Sequence, residues 1–171
     1  MTGERLVVVG VDGSEGGRRA LAWALAHAGK TGATVEVVSV FAGGDEPLEW
    51  PSDAVASERH RTEAFQNDEV ASALAECAVQ PPVARTVVEG RPVPALSAAA
   101  RDADMLVLGS HGHGRLRTAL LGSVTEGCIR AGTCSVLVGP SSNVASDHGE
   151  AATGEVSVRP AAVSGTAHLK V

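Results

Sequence analysis

The sequence predicts an α/β fold: an open, doubly wound, five-stranded parallel sheet with helices on both of its faces. Short apolar runs rich in Val and Leu recur along the chain, and such runs are typical of strands buried on both faces. Segments with helical spacing separate these runs, so strands and helices alternate as they do around a parallel sheet. The length of 171 residues suits one domain with a single core.

The first strand is predicted over residues 6–11, where LVVVGV is apolar and contains several β-branched residues. A helix is predicted over residues 18–28, because Leu21 and Leu25 are four residues apart among strong helix formers. Gly29 is expected to cap the end of this helix.

The middle of the chain holds two further strands and a long helix. TVEVVSVF, at residues 34–41, predicts the second strand. Residues 54–77 predict a rather polar helix, which Pro81 and Pro82 prevent from continuing. Residues 83–90 predict a third strand, whose alternating pattern favours a position near an edge of the sheet.

Two helices and two strands complete the predicted fold. A helix over residues 94–102 starts at a proline, and the apolar run MLVL at 105–108 is the fourth strand. Residues 123–132 predict a short helix, and the fifth strand runs from Ser135 to Val138. Residues 1–140 are therefore expected to form the domain.

Residues 141–171 have a different composition. They contain no aromatic residue, no sustained periodicity, and many Ser, Ala, Gly and Thr residues. Such a segment buries too little apolar area to offset the entropy of its chain. The sequence therefore predicts a disordered C-terminal tail. The alternative is that EVSVRP, at residues 155–160, pairs as an extra strand.

Charge and composition exclude several partner classes. The net charge is −6 and the 14 Lys and Arg residues are scattered, whereas binding to the phosphates of nucleic acids needs clustered positive charge. No apolar run approaches a membrane span, and no export signal is recognised, so a cytoplasmic location is expected. The three cysteines have no zinc-ligand spacing.

Two loops that leave strand ends contain the candidate site. Ligands of open parallel sheets bind beyond the carboxyl ends of the strands, where the strand order reverses. If the first and fourth strands are neighbours at that point, Asp12 and Gly109 border one crevice. Asp12 can then hold a ribose hydroxyl or a magnesium ion. The alternative is that Asp12 caps the helix that begins near Ser14. Ser14 is itself expected to be only a cap of that helix.

The far end of the second loop is the start of the short helix, with Gly122, Ser123 and Thr125. Helix starts expose unpaired N–H groups and a partial positive charge, so they bind phosphate. The alternative is that Ser123 is an ordinary helix cap. A cap explains Ser123 alone and leaves Gly109, Gly112 and Gly122 unexplained.

The segment GSHGHGRLRTALLGS contains the pattern G-x2-G-x9-G-[ST], with Gly109, Gly112, Gly122 and Ser123 at its fixed positions. In this it resembles the ATP-binding branch of the universal stress protein family. VVGVDGSEGGRRALAWAL near the start and CSVLVGP near the end are similar to that family's first and last strands. The resemblance covers residues 5–139.

The resemblance implies a Rossmann-like sheet in the order 3-2-1-4-5, with the reversal between strands one and four. It implies that Asp12 contacts ribose, that the backbone around Val40 contacts adenine, and that ATP is bound together with magnesium. It also implies a homodimer formed by pairing of the fifth strand. The nucleotide-binding residues expected from it are Gly10, Asp12, Val40, Gly109, Gly112, Gly122, Ser123, Val124 and Thr125.

Three functions are compatible with these residues. The first is an ATP-binding stress-response or regulatory protein that senses or carries nucleotide, since no motif places a general base beside the phosphates. The second is a slow ATPase or nucleotidyl-transfer enzyme in which magnesium on Asp12 polarises a phosphate. The third is a nucleotide-free dimeric interaction module whose glycines serve only turns.

Overall fold

The computed structural model describes residues 5–41, 52–110 and 121–139. Strands and helices alternate along these residues, as the sequence predicts. The strands are β1 (Leu6–Gly10), β2 (Thr34–Phe41), β3 (Val83–Glu89), β4 (Met105–Gly109) and β5 (Ser135–Gly139). The helices are α1 (Glu15–Thr31), α2 (Ser52–Ala75), α3 (Pro92–Ala99) and α4 (Ser123–Ala131).

The five strands form one parallel sheet in the order β3-β2-β1-β4-β5. This confirms the fold class, the order 3-2-1-4-5 and the edge position of β3. The chain runs outward from β1 to β2 and then to β3, and it crosses back from β3 to β4, which lies on the other side of β1. The strand order therefore reverses between β1 and β4, where Val9 is in register with Val107.

Helices cover both faces of the sheet because the strand side chains alternate between two apolar clusters. Val7 and Val9 face α1 and α2, whereas Val8 faces α3 and α4. The core residues of the first cluster include Leu21, Leu25, Val35, Val37, Val70 and Val107. Those of the second include Val38, Leu96, Leu106, Leu108, Cys128 and Val136.

Helix α1 ends three residues later than predicted, so the assignment of Gly29 as its cap is wrong. The cap is Gly32, which has φ of 73° and donates its N–H to Ala28 O. Gly29 lies inside the helix, where a β-carbon would lie 2.6 Å from Val79 O. Its lack of a side chain therefore serves close packing against that loop.

The remaining predicted bounds differ from the observed ones by a few residues. Helix α2 starts and ends two residues earlier than predicted, and α3 begins at Pro92, ahead of the predicted start. Within the described ranges, no helix is long and apolar enough to cross a membrane. Gly112 and residues 141–171 lie outside the described residues.

Candidate functional site

The carboxyl ends of β1 and β4 lie side by side, as the crevice prediction requires. The last residue of β4 and Asp12, which follows β1, both lie close to the first turn of α1. A β-carbon at Gly109 would lie 2.6 Å from the carbonyl carbon of Gly16. A β-carbon at Gly17 would lie 2.8 Å from Asp12 Oδ1. Asp12 and Gly109 therefore border the same place, at the reversal of the strand order.

Asp12 and Ser14 together organise the start of α1. Ser14 is the N-cap, and its Oγ accepts a hydrogen bond from Gly17 N at 3.0 Å. Asp12 Oδ1 in turn accepts from Ser14 N at 3.0 Å and from Ser14 Oγ at 2.6 Å. The prediction that Ser14 is the cap is confirmed, and Asp12 supports the cap from outside the helix. The Asp12 side chain is exposed at the edge of the crevice.

Gly109 has a packing function of its own. It is the last residue of β4, and the backbone of Gly16 and Gly17 occupies the space where its side chain would be. This contact brings α1 close to the sheet, so a glycine is required at this position by the fold itself.

Two hydrogen bonds hold the ends of the loop after β4 together. Gly122 N donates to Ser110 O, and Thr125 Oγ1 donates to Gly109 O, each at 2.8 Å. Thr125 is buried, and its hydroxyl proton is used by this bond. Thr125 therefore ties α4 to the end of β4, and only the lone pairs of its hydroxyl remain for a ligand.

The N-terminus of α4 is organised differently from that of α1. Its N-cap is Gly122, and Ser123 is the first residue of the helix, so the alternative in which Ser123 is the cap is wrong. Among the described residues no side chain caps this end. The N–H groups of the first turn of α4 therefore have no capping side chain in the part of the chain that the structure describes.

A cavity of about 430 Å³ lies beside the ends of β1 and β2 and beneath α2. It contains both Asp12 and Val40, the two residues expected to contact ribose and adenine. The volume falls within the range of small-molecule sites. The cavity is lined by Val11, Asp12, Ser39, Val40, Phe41, Glu58, Thr62 and Phe65.

Sequence reasoning missed the contribution of α2 to this cavity. Glu58, Thr62 and Phe65 come from α2, which the sequence identifies only as a polar helix. One signal was present: the chain has two phenylalanines, Phe41 and Phe65, and both line the cavity. Two of the chain's four Phe and Trp rings therefore offer apolar surface at this site.

Buried polar contacts attach α2 to the sheet beside the cavity. Gln66 is buried, and its Nε2 lies 3.1 Å from Val37 O, Ser39 Oγ and Thr86 O. These contacts join α2 to both β2 and β3. They fix the position of the helix that forms one wall of the cavity.

A cation also contributes to this wall. The Arg59 guanidinium lies over the Phe41 ring at 5.3 Å from its centroid, and it donates to Val87 O at 3.1 Å. The Phe41 ring, which lines the cavity, is thereby packed against Arg59 of α2.

The ionisable residues that line the cavity are both acidic. They are Asp12 and Glu58, and Glu58 Oε2 accepts from Arg61 Nη1 at 2.8 Å. The described residues contain no group of three His, Cys, Asp or Glu side chains suited to a metal. A cation at Asp12 would therefore depend on ligands supplied by a bound molecule and by water. Magnesium commonly binds in this way, through one or two carboxylates and the phosphates of a nucleotide.

The structure distributes the other predicted site residues around the crevice. Gly10 ends β1, and a β-carbon there would lie 2.7 Å from the Leu108 side chain, on the face covered by α3 and α4. Val124 packs partly against the cluster of that same face. Two groups result: Asp12 and Val40 at the cavity, and a second group at the end of β4 and the start of α4. The second group comprises Gly109, Gly122, Ser123, Val124 and Thr125.

The profile of the universal stress protein family matches residues 5–140, which is most of the chain. The chain belongs to this family. Universal stress protein Rv2005c of Mycobacterium tuberculosis is 35% identical over 133 residues, which are 77% of this chain and 44% of the relative. Rv2624c of the same species is 30% identical over 135 residues, or 78% and 47% of the two chains. The chain thus spans less than half the length of these curated relatives.

Solved structures of the family have the same fold. A crystal structure of a universal stress protein in complex with cAMP has a TM-score of 0.59 and 27% identity, covering 81% of this chain and 98% of that one. UspA from Lactobacillus plantarum has a TM-score of 0.65 and 23% identity, covering 78% and 96%. The fold of this universal stress protein is therefore that of its family, with the cavity at the carboxyl ends of β1 and β2.

Proposed function

We propose that this universal stress protein binds an adenine nucleotide and acts as a stress-response regulator that senses or carries it. The observation that carries this proposal is the cavity of about 430 Å³, which brings Asp12 and Val40 together beside the reversal of the strand order. Cavities at this point of an open parallel sheet are the usual ligand sites. The solved relative in complex with cAMP also supports an adenine nucleotide.

In the proposed arrangement, the base lies in the part of the cavity lined by Phe41 and Phe65. An aromatic base gains from contact with apolar ring surface there. The exposed carboxylate of Asp12 accepts hydrogen bonds from the ribose hydroxyls. The acidic lining disfavours phosphate inside the cavity, so the phosphates extend outward from Asp12.

The phosphates are proposed to lie at the start of α4, against the loop that contains Gly112. The N–H groups of Ser123 and Val124 belong to the first turn of α4, where anions are stabilised by unpaired donors and by the helix dipole. Asp12 would be the carboxylate that holds magnesium when it is bound with the nucleotide, and the ion would neutralise charge on the phosphates. ATP with magnesium is therefore the nucleotide that we propose, and cAMP is the first competitor to test.

Binding can be tested by thermal unfolding with and without nucleotide. A ligand that binds only the folded state raises its stability, by about 2.7 kcal/mol at a hundred times the Kd. We expect Mg-ATP to raise the melting temperature, and mass spectrometry to find intact adenine nucleotide in the purified protein. A wild type whose melt does not shift with millimolar ATP or cAMP would refute the proposal.

The contribution of Asp12 needs a variant that preserves the start of α1. Asp12→Asn keeps a side-chain oxygen that can accept from Ser14 and removes the charge. We expect it to weaken ATP binding. Asp102→Asn, on an exposed residue near the end of α3, is the matched control and should bind as the wild type does. Release of ADP or AMP by the wild type during the same incubation would favour the slow enzyme over the sensor.

A further inference from the structure

The floor of the cavity contains a buried hydroxyl. Ser39 is 2% exposed and lines the cavity, and its Oγ lies 3.1 Å from Gln66 Nε2. The same Nε2 faces the carbonyl oxygens of Val37 and Thr86, which can only accept. The orientation of the Gln66 amide is thereby fixed, and its NH2 group is the donor in all three contacts. Ser39 Oγ therefore accepts from Gln66, and its own proton is not used in this contact.

That proton has no acceptor among residues 5–41, 52–110 and 121–139, where the bond from Gln66 is the single hydrogen bond of Ser39 Oγ. Leaving a buried donor unsatisfied costs about 1–3 kcal/mol, and an alanine would avoid that cost. A ligand atom in the cavity that accepts a hydrogen bond from Ser39 accounts for the hydroxyl.

Thr62 offers the complementary group. Its Oγ1 donates to Glu58 O at 2.9 Å, which leaves the lone pairs of Thr62 to accept. Thr62 is four residues from Gln66 on α2, so both lie on the same face of the helix. The cavity lining thus combines a donor from Ser39 on β2 with an acceptor from Thr62 on α2. Adenine presents the matching pair, a ring nitrogen that accepts beside the exocyclic amine that donates.

We propose that Ser39, held in place by Gln66, is a base-binding residue that donates a hydrogen bond to N1 or N7 of adenine. This inference rests on the proposed function, because it specifies how the nucleotide site recognises its base. It adds to the site a side chain from within β2, one residue before Val40. It also explains why Gln66 is buried against β2 and β3 beside the cavity.

The first test is a pair of serine substitutions. Ser39→Ala removes the donor with little change in volume. We expect it to raise the Kd for Mg-ATP, measured by isothermal titration calorimetry, by about tenfold, as for the loss of one hydrogen bond. Ser97→Ala is the matched control, since Ser97 is a half-buried serine of α3 on the opposite face of the sheet. Equal Kd values for Ser39→Ala and the wild type would overturn the inference.

The second test uses the unmodified protein and is independent of how Ser39→Ala folds. We expect either 1-deaza-ATP or 7-deaza-ATP to bind about tenfold more weakly than ATP, because it lacks the accepting nitrogen. That penalty should disappear in Ser39→Ala, and 3-deaza-ATP should bind as ATP does. Equal binding of all three analogues by the wild type would overturn the inference and leave the proposed function intact. A wild type that binds no adenine nucleotide would overturn both.

Discussion

Gly109 lies where the end of β4 and the start of α1 are closest. The carbonyl carbon of Gly16 is 2.6 Å, and Gly17 N is 2.9 Å, from the position of a β-carbon at Gly109. Both neighbours are backbone atoms, so neither can move aside without moving the helix. At the next strand, Gly139 is in register with Gly109, but a β-carbon there would lie 3.7 Å from its nearest neighbour, Leu108 O.

Gly109→Ala should therefore destabilise the protein, and Gly139→Ala should not. We expect the first substitution to lower the free energy of unfolding by about 1–3 kcal/mol, as overpacking does elsewhere. The second should change it by less than about 0.5 kcal/mol. Urea denaturation without nucleotide measures both. If Gly109→Ala retained full stability but lost ATP binding, the loop rather than α1 would require the glycine.

A second prediction about single residues concerns buried Cys128 and half-buried Cys134. Burial raises the pKa of Cys128 above its ordinary value, and burial also raises the pKa of Cys134. Because the thiolate is the reactive form, we expect iodoacetamide to label both more slowly in the folded protein than in urea. Peptide mass spectrometry at mildly alkaline pH gives the two rates. Equal rates would show that these thiols are open to solvent.

The same shifts have a definite sign for stability. A thiol whose pKa is raised by folding contributes its full stabilisation at pH values below the pKa that the thiol has in the unfolded chain. That contribution is lost as the pH rises through the folded value. The free energy of unfolding of Cys128→Ala should therefore decrease less steeply with rising alkaline pH than that of the wild type, because the variant lacks this thiol.

At the scale of elements, tertiary contacts decided where α1 begins and ends. In the sequence, strong helix formers begin at residue 18, after Gly16 and Gly17, which are poor helix formers. The structure extends the helix over both glycines, since Ser14 caps it and the backbone of β4 approaches it there. At the other end, Gly29 and Gly32 are indistinguishable as caps by sequence. In the structure Gly29 lies inside the helix, in close contact with Val79, which is distant along the chain. A local sequence pattern does not contain this contact.

The prediction for a single element is that strand β5 forms the interface of a homodimer. In the sheet of the described residues, β5 is an edge strand, and its backbone is open to pairing with a second copy. We expect a two-fold homodimer, seen as a doubled mass in sedimentation velocity at micromolar concentration. Leu137→Lys should yield the monomer, and Ala84→Lys on the opposite edge strand, β3, should not. Leu137 also packs toward the α1 face, so a thermal melt of the variant must show that it remains folded. A wild type that is monomeric at that concentration would refute the dimer.

For the whole molecule, the order of strands and helices could be predicted, and the wall of the site could not. Continuous apolar runs identify buried parallel strands because helices cover both faces of such a sheet, so successive side chains are apolar on both faces. The positions of Asp12 and Val40 follow from where strands end. Thr62 and Ser39 have no motif, and they line one cavity because α2 packs across β2 through Gln66. Such contacts depend on the packed structure, which a local pattern does not contain.

For the whole chain, we predict that residues 141–171 are not needed for the stability of the domain or for nucleotide binding. The two apolar clusters and the five-stranded sheet are formed by residues between Leu6 and Gly139. Residues 141–171 are rich in small and polar residues and lack a sustained helical or strand periodicity, so we propose that they add little burial. Truncation after Pro140 should therefore leave the melting temperature within a few degrees of the full chain, with the same shift on addition of Mg-ATP. Both proteins would be measured by differential scanning calorimetry. A loss of about 2 kcal/mol or more would mean that the segment packs on the domain. A loss of the ATP shift alone would mean that it contributes to the nucleotide site.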